Sequence, residues 1–141
     1  MKETDIYDQL SSIAFEEDLE QRSEELVEIW RSSSVGKQAI EPILMFMENH
    51  DSWDYGSPGP FVHFIEIFYG HGYEKLLVDS INRKPTFHTL WMLNRIINGE
   101  KEPERKRFYI KIMSECANNN LIDQAINERA IHFLALHLDN R

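Results

Sequence analysis

The chain has 141 residues, enough for one domain to bury a core without disulfide or metal staples, and its 42% hydrophobic and 28% charged composition is that of a soluble globular protein. A net charge of −9 argues against nucleic acid and anionic membranes as partners. One cysteine, Cys116, leaves no internal disulfide. With no apolar signal-like segment in MKETDIYDQL and only short apolar runs such as Ile43–Met47, the expectation is a cytoplasmic protein that does not cross a membrane.

In chain order, Ile6, Leu10, Ile13 and Ala14 recur at helical spacing and predict a helix over 4–14, with Thr4 as N-cap. A second helix is predicted over 16–31, with Leu19, Leu26, Val27 and Trp30 inward and Glu17, Glu20, Glu24 and Glu28 as an anionic stripe on the opposite face. SSSVG breaks the pattern at 32–36. Helix 38–49 follows, with Pro42 tolerated in its first turn. Ser57-Pro58 reads as an N-cap and first helical position, opening a helix that runs to about Tyr69 and ends at Gly70-His71-Gly72. Tyr73–Asn82 makes a shorter helix. Pro85 opens TFHTLWMLNRIIN, closed by Gly99, and Pro103 opens another helix through Ala117. NNN at 118–120 is a turn before a last helix, 121–138.

No segment alternates with β-branched enrichment. The expected fold is therefore all-α, a single domain of six to eight helices. The helices form either a short HEAT- or armadillo-like stack of hairpins or an irregular bundle.

Charge is unevenly spread. Residues 1–70 hold four Lys/Arg against fifteen Asp/Glu, a net of −11, whereas residues 71–141 hold eleven against nine, a net of +2. An acidic first half steers a basic partner toward it at long range, and it also simply keeps a protein soluble.

Chemistry-bearing constellations are sparse. On the helix at 61–69, Phe61, Phe64, Ile65 and Phe68 share a face that Ile67 widens, and only His63 and Glu66 interrupt it. On the helix at 87–97, His88 and Arg95 stand seven apart on a common side, so an internal ion pair of Glu66 with Arg95 or His88 competes with a polar contact patch made by all four. His63, Glu66 and His71, or His50, Asp51 and Asp54, are conceivable metal ligands, but no HExxH, cysteine pair or EF-hand pattern supports them, and no cofactor or metal is expected. Cys116 reads as a small core residue and not a nucleophile. RKR at 105–107, with Lys101 and Lys111, is offset by Glu100, Glu102 and Glu104 and reads as a solvated helix face. Asp51, Trp53, Asp54 and Tyr55 lie on a loop, where aromatics beside charges mark recognition, although Trp53 reads equally well as a core plug.

GSPGPFVHFIE (56–66) and KPTFHTLWMLNRIING (84–99) resemble segments of small all-helical immunity proteins, with which bacteria neutralise polymorphic or contact-dependent toxins. The resemblance covers residues 51–99. It implies a cytoplasmic, non-enzymatic protein that binds one cognate toxin, often a nuclease, at its active site or substrate channel. Glu17, Glu20, Glu24, Glu28, Asp51, Trp53, Asp54 and Tyr55 are the candidate contact residues. The alternatives are a generic helical-repeat adaptor and a small enzyme built on His63, Glu66 and His88.

Overall fold

A computed structural model describes residues 3–15, 17–51, 55–56 and 58–138, with the backbone alone for residues 3 and 4. The described residues form eight α-helices and no strand. Packing divides the chain into two compact units, Met1–Leu77 and Val78–Arg141. The division nearly coincides with the charge asymmetry: the first unit carries five Lys/Arg and sixteen Asp/Glu, a net of −11, and the second ten and eight, a net of +2.

The first unit contains α1 (Glu3–Ile13), α2 (Leu19–Ser32), a 3₁₀ turn at Lys37–Ala39, α3 (Ile40–Asn49), α4 (Pro60–Glu66) and the start of α5 (Tyr73–Arg83). Helix α1 already includes Glu3 and Thr4, so Thr4 is not its N-cap, and α4 opens at Pro60 with Gly59 at its N-cap position, two residues later than the start predicted at Ser57-Pro58. Pro42 sits in the first turn of α3, where its missing N–H breaks no intrahelical bond. The unit is organised around Trp30 of α2. Its ring is wholly buried, stacks on Phe61 at 6.0 Å and leans on Phe64 at 5.7 Å. Its Nε1–H donates to Gln9 Oε1 of α1 at 2.6 Å, so the one polar atom of the ring is satisfied inside the core. Ile6, Leu10, Leu26, Ile43, Leu44 and Met47 fill the remaining space.

Helix α4 is shorter than its apolar run predicts. It ends at Glu66, and turns occupy 67–72 up to α5. Phe61, Phe64 and Ile65 are buried as expected, but Ile67 lies beyond the last helical turn and is exposed, so it does not widen the core face.

The second unit contains the rest of α5, then α6 (Phe87–Gly99), α7 (Pro103–Ala117) and α8 (Gln124–Leu138). Thr86 caps α6 in a reciprocal box. Thr86 Oγ1 accepts from the Thr89 N–H at 3.1 Å, and Thr89 Oγ1 accepts from the Thr86 N–H at 2.9 Å. Both threonines are fully buried, so neither backbone group could turn to water instead. Thr86→Ala is therefore expected to cost about 1–2 kcal/mol, read as a lower urea midpoint, with Thr86→Ser recovering most of it.

Glu102 caps α7 through its carboxylate, which accepts from the N–H groups of Glu104 and Arg105. At the other end, the Asn127 side-chain amide donates to the carbonyls of Cys116 and Ala117 at 3.0 and 2.9 Å, tying the end of α7 to α8 as an antiparallel hairpin. Cys116 is buried beside Ile112 and Met113, as its apolar spacing predicted. Burial and the neighbouring Glu115 charge push its thiol up to about 11. A raised pKa leaves little thiolate, so at pH 8 the native protein should react with Ellman's reagent about 100-fold more slowly than the protein unfolded in urea.

Candidate functional site

The predicted contact residues converge on the first unit. Helix α2 begins at Leu19, with Asp18 at its N-cap position, so Glu17 stands in the preceding turn and is not the first rung of the stripe. Glu20, Glu24 and Glu28 remain on the exposed face. Acid at this end has a local reason, because Asp18 and Glu20 meet the positive end of the helix dipole. One arginine offsets part of the stripe, Arg31 pairing with Glu28 at 3.2 Å, while Arg22 pairs with Glu25 beside it at 3.0 Å. Both pairs are half-exposed and contribute little to stability.

The loop between α3 and α4 departs from the expected recognition loop. Tyr55 is not a contact residue. Its ring is completely buried, 6.0 Å from Phe46 and 6.1 Å from Phe61, and its hydroxyl donates to the His50 carbonyl at 2.9 Å. The hydrogen bond satisfies the hydroxyl, which frees the ring to join the aromatic cluster. Burial raises the Tyr55 phenol above its ordinary range, and the charge of half-buried Asp51 adds to the effect. Trp53 and Asp54 lie outside the described residues.

Two glycines make this turn possible. Gly56 and Gly59 have φ of +103° and +94°, and a Cβ at Gly59 would stand 2.0 Å from the Tyr55 carbonyl oxygen. At Gly56 a Cβ would meet Glu20 Oε1 at 2.6 Å, so the Glu20 carboxylate rests directly against the loop backbone. Glu20 thus lies close against the loop as well as contributing charge.

His63 and Glu66 are brought together, with Nδ1 and Oε1 4.0 Å apart. This contact is not buried: the side chains are 61% and 21% exposed. His63 instead faces a groove of about 260 Å³ whose opposite wall carries Glu20 and Glu24 of α2. His88 and Arg95 belong to the second unit and do not share an environment. His88 is buried with its ring edge-on to Phe87 at 5.6 Å, whereas Arg95, two turns later, is exposed. Helical spacing gave them one direction, but that side of α6 is covered at only one end.

Sequence spacing missed one residue. Phe15 falls just past α1, outside its apolar stripe, and is 84% exposed. Its backbone is left-handed at φ +68°, a conformation that costs a bulky residue about 1–2 kcal/mol. The ring lies edge-on to His50 at 5.9 Å, on the rim of a groove of about 360 Å³ lined by Tyr7, Leu10, Pro42, Met45 and Phe46. Burial lowers the His50 imidazole below its ordinary range, so at neutral pH the ring is uncharged.

The first unit thus offers exposed carboxylates on α2 and, separately, an exposed aromatic on a strained backbone at the rim of an apolar groove. Such a surface is suited to binding: charge steers a basic partner, and the aromatic and groove supply contact area. Among the described residues no three His, Cys, Asp or Glu side chains cluster as a metal site requires, and no helix is long and apolar enough to cross a membrane. Against protein-family models, curated proteins and solved structures, the chain matches no family model, no curated protein and no solved structure.

Proposed function

We propose that this protein is a bacterial immunity protein, a non-enzymatic cytoplasmic inhibitor that binds a cognate basic toxin domain, such as a nuclease, and blocks its active site or substrate cleft. The observation that carries the reading is the concentration of a −11 charge in the first unit, with Glu17, Glu20, Glu24 and Glu28 exposed and Phe15 exposed in the same unit. Long-range attraction brings a cationic cleft toward such a face, and a buried aromatic anchor then slows dissociation. Phe15 takes the anchoring role that the buried Tyr55 cannot.

The test is co-expression with the open reading frame immediately upstream. If that frame encodes the toxin, its product is expected to arrest growth when expressed alone, to be tolerated with this protein, and to co-purify with it at low salt. Tolerance without co-purification, or no toxicity of the neighbouring product, would remove the basis for the proposal. A housekeeping adaptor would instead co-purify with a non-toxic partner.

A further inference from the structure

The second unit carries a groove of different character. Helix α7 presents Lys106, Arg107, Ile110 and Lys111 along one side, at the spacing of a single helical face. Opposite them, Leu134, His137 and Leu138 of α8 complete a groove of about 790 Å³. Its volume lies within the range of small-molecule sites, and it is open along one side to solvent.

Among the described residues three cations and no carboxylate line it, in a chain whose net charge is −9. Of the three acids that offset this basic run in sequence, Glu104 is exposed in the first turn of α7. The other two have partners outside the groove, although the Glu102 charge still reaches Arg107. Glu100 takes Arg105 at 2.5 Å, and Glu102 is turned to the N–H groups at the start of α7. Among the described residues, Lys106, Arg107 and Lys111 form no ion pair. The apolar side chains between and opposite them are half-exposed leucine and isoleucine surface that no described residue covers further. His137 Nε2–H donates to Asn94 Oδ1 at 2.6 Å, which fixes the imidazole in the wall. Burial and the nearby Lys106 hold that imidazole below its ordinary range, so at neutral pH it is a neutral polar group and not a fourth cation.

We propose that this groove binds a small amphipathic anion, one carboxylate or phosphate head with a short hydrocarbon body. Lys106, Arg107 and Lys111 hold the head, with Arg107 offering a bidentate fork, and the body lies along Ile110, Leu134 and Leu138. Neither half of such a ligand suffices. An exposed cation cluster binds a simple anion weakly because water screens it, and the apolar strip alone is too polar-edged to retain a neutral alkane. Its lining residues all belong to the second unit, whereas those proposed for toxin binding belong to the first.

Isothermal titration of the full chain with octyl phosphate, octanoate, 1-octanol and inorganic phosphate tests the proposal. Octyl phosphate and octanoate separate the two head groups, and either binding at one saturable site supports it. Each binder should exceed octanol and inorganic phosphate by at least about tenfold in affinity. Replacing Lys106, Arg107 and Lys111 together by Gln should weaken binding by about tenfold or more with Tm unchanged, since these side chains are exposed. A ¹H–¹⁵N shift map of the unsubstituted protein should place the ligand on α7 and the end of α8, whatever the fate of the variant. No saturable binding, octanol as tight as octanoate, an unaffected triple variant, or shifts outside these helices would overturn the proposal. Binding to phosphatidylglycerol vesicles without binding of monomeric octyl phosphate would also overturn it, because the patch would then be reading a surface and not a single anion.

Discussion

Gly59→Ala is expected to destabilise the protein by about 3 kcal/mol or more, the largest effect of any single methyl added to the chain. Two costs combine. At φ +94° and ψ 169° the backbone occupies a region that is essentially glycine-only, and an L side chain there is strained by about 1–3 kcal/mol. The new Cβ would also stand 2.0 Å from the Tyr55 carbonyl oxygen, a backbone atom that cannot rotate away. Relief requires the loop to open, which would draw Tyr55 off Phe46 and Phe61 and break its bond to His50. Gly70→Ala is the internal control. It has φ +82° but nothing within 4 Å of the added atom, so it should lose only about 1–2 kcal/mol. Thermal or urea unfolding of the two variants separates conformational strain from collision. Equal losses would mean that the Tyr55 turn is looser than the structure shows.

Reversing Glu17, Glu24 and Glu28 to Lys is expected to weaken the proposed toxin complex by about 100-fold or more near physiological salt, mostly through slower association. The change shifts the net charge of the unit that holds the protein's acidity by +6, and all three side chains are exposed. Glu20 is left in place because its carboxylate rests on Gly56, and reversing it would confuse a loss of charge with a loss of its contact with the loop. Only the Glu28–Arg31 pair is sacrificed, a surface bridge worth about 0.5 kcal/mol, so Tm should move little. Phe15→Ala should act differently, through faster dissociation and with weak salt dependence, since it removes contact area and not charge. Surface plasmon resonance at several salt concentrations distinguishes the two. Unchanged affinity in both variants would place the interface on another face.

The resemblance in residues 51–99 and the loop chemistry of DSWDYGSPG drew attention to the same short segment, for different reasons. In the structure its described part is chiefly a folding device. Tyr55 anchors it, Gly56 and Gly59 allow its path, and Glu20 lies close against it. Composition alone could not tell this device from a recognition loop, because tyrosine, glycine, proline and aspartate are favoured in both. Phe15 shows the converse. Its exposure follows from α1 ending two residues earlier and from the turn that leads into α2, neither of which leaves a periodic signal.

The sequence by itself determined the helical class, the approximate place of every helix and the separation of charge. Helical periodicity, prolines at helix starts and glycines after helix ends are local signals, written within a turn or two of the residues they govern. Cys116 was legible for the same reason, since its spacing with Ile112 put it on the apolar side of α7. Only the tertiary structure decided which faces stay covered. It buried Tyr55, exposed His63 and Ile67, and covered α6 at His88 but not at Arg95. It also set the end of α8 beside Lys106, Arg107 and Lys111, converting a run that reads as solvated charge into one wall of a groove. Periodicity reports the direction in which a side chain leaves its helix. What it meets there depends on an element distant in sequence, and no local pattern records that neighbour.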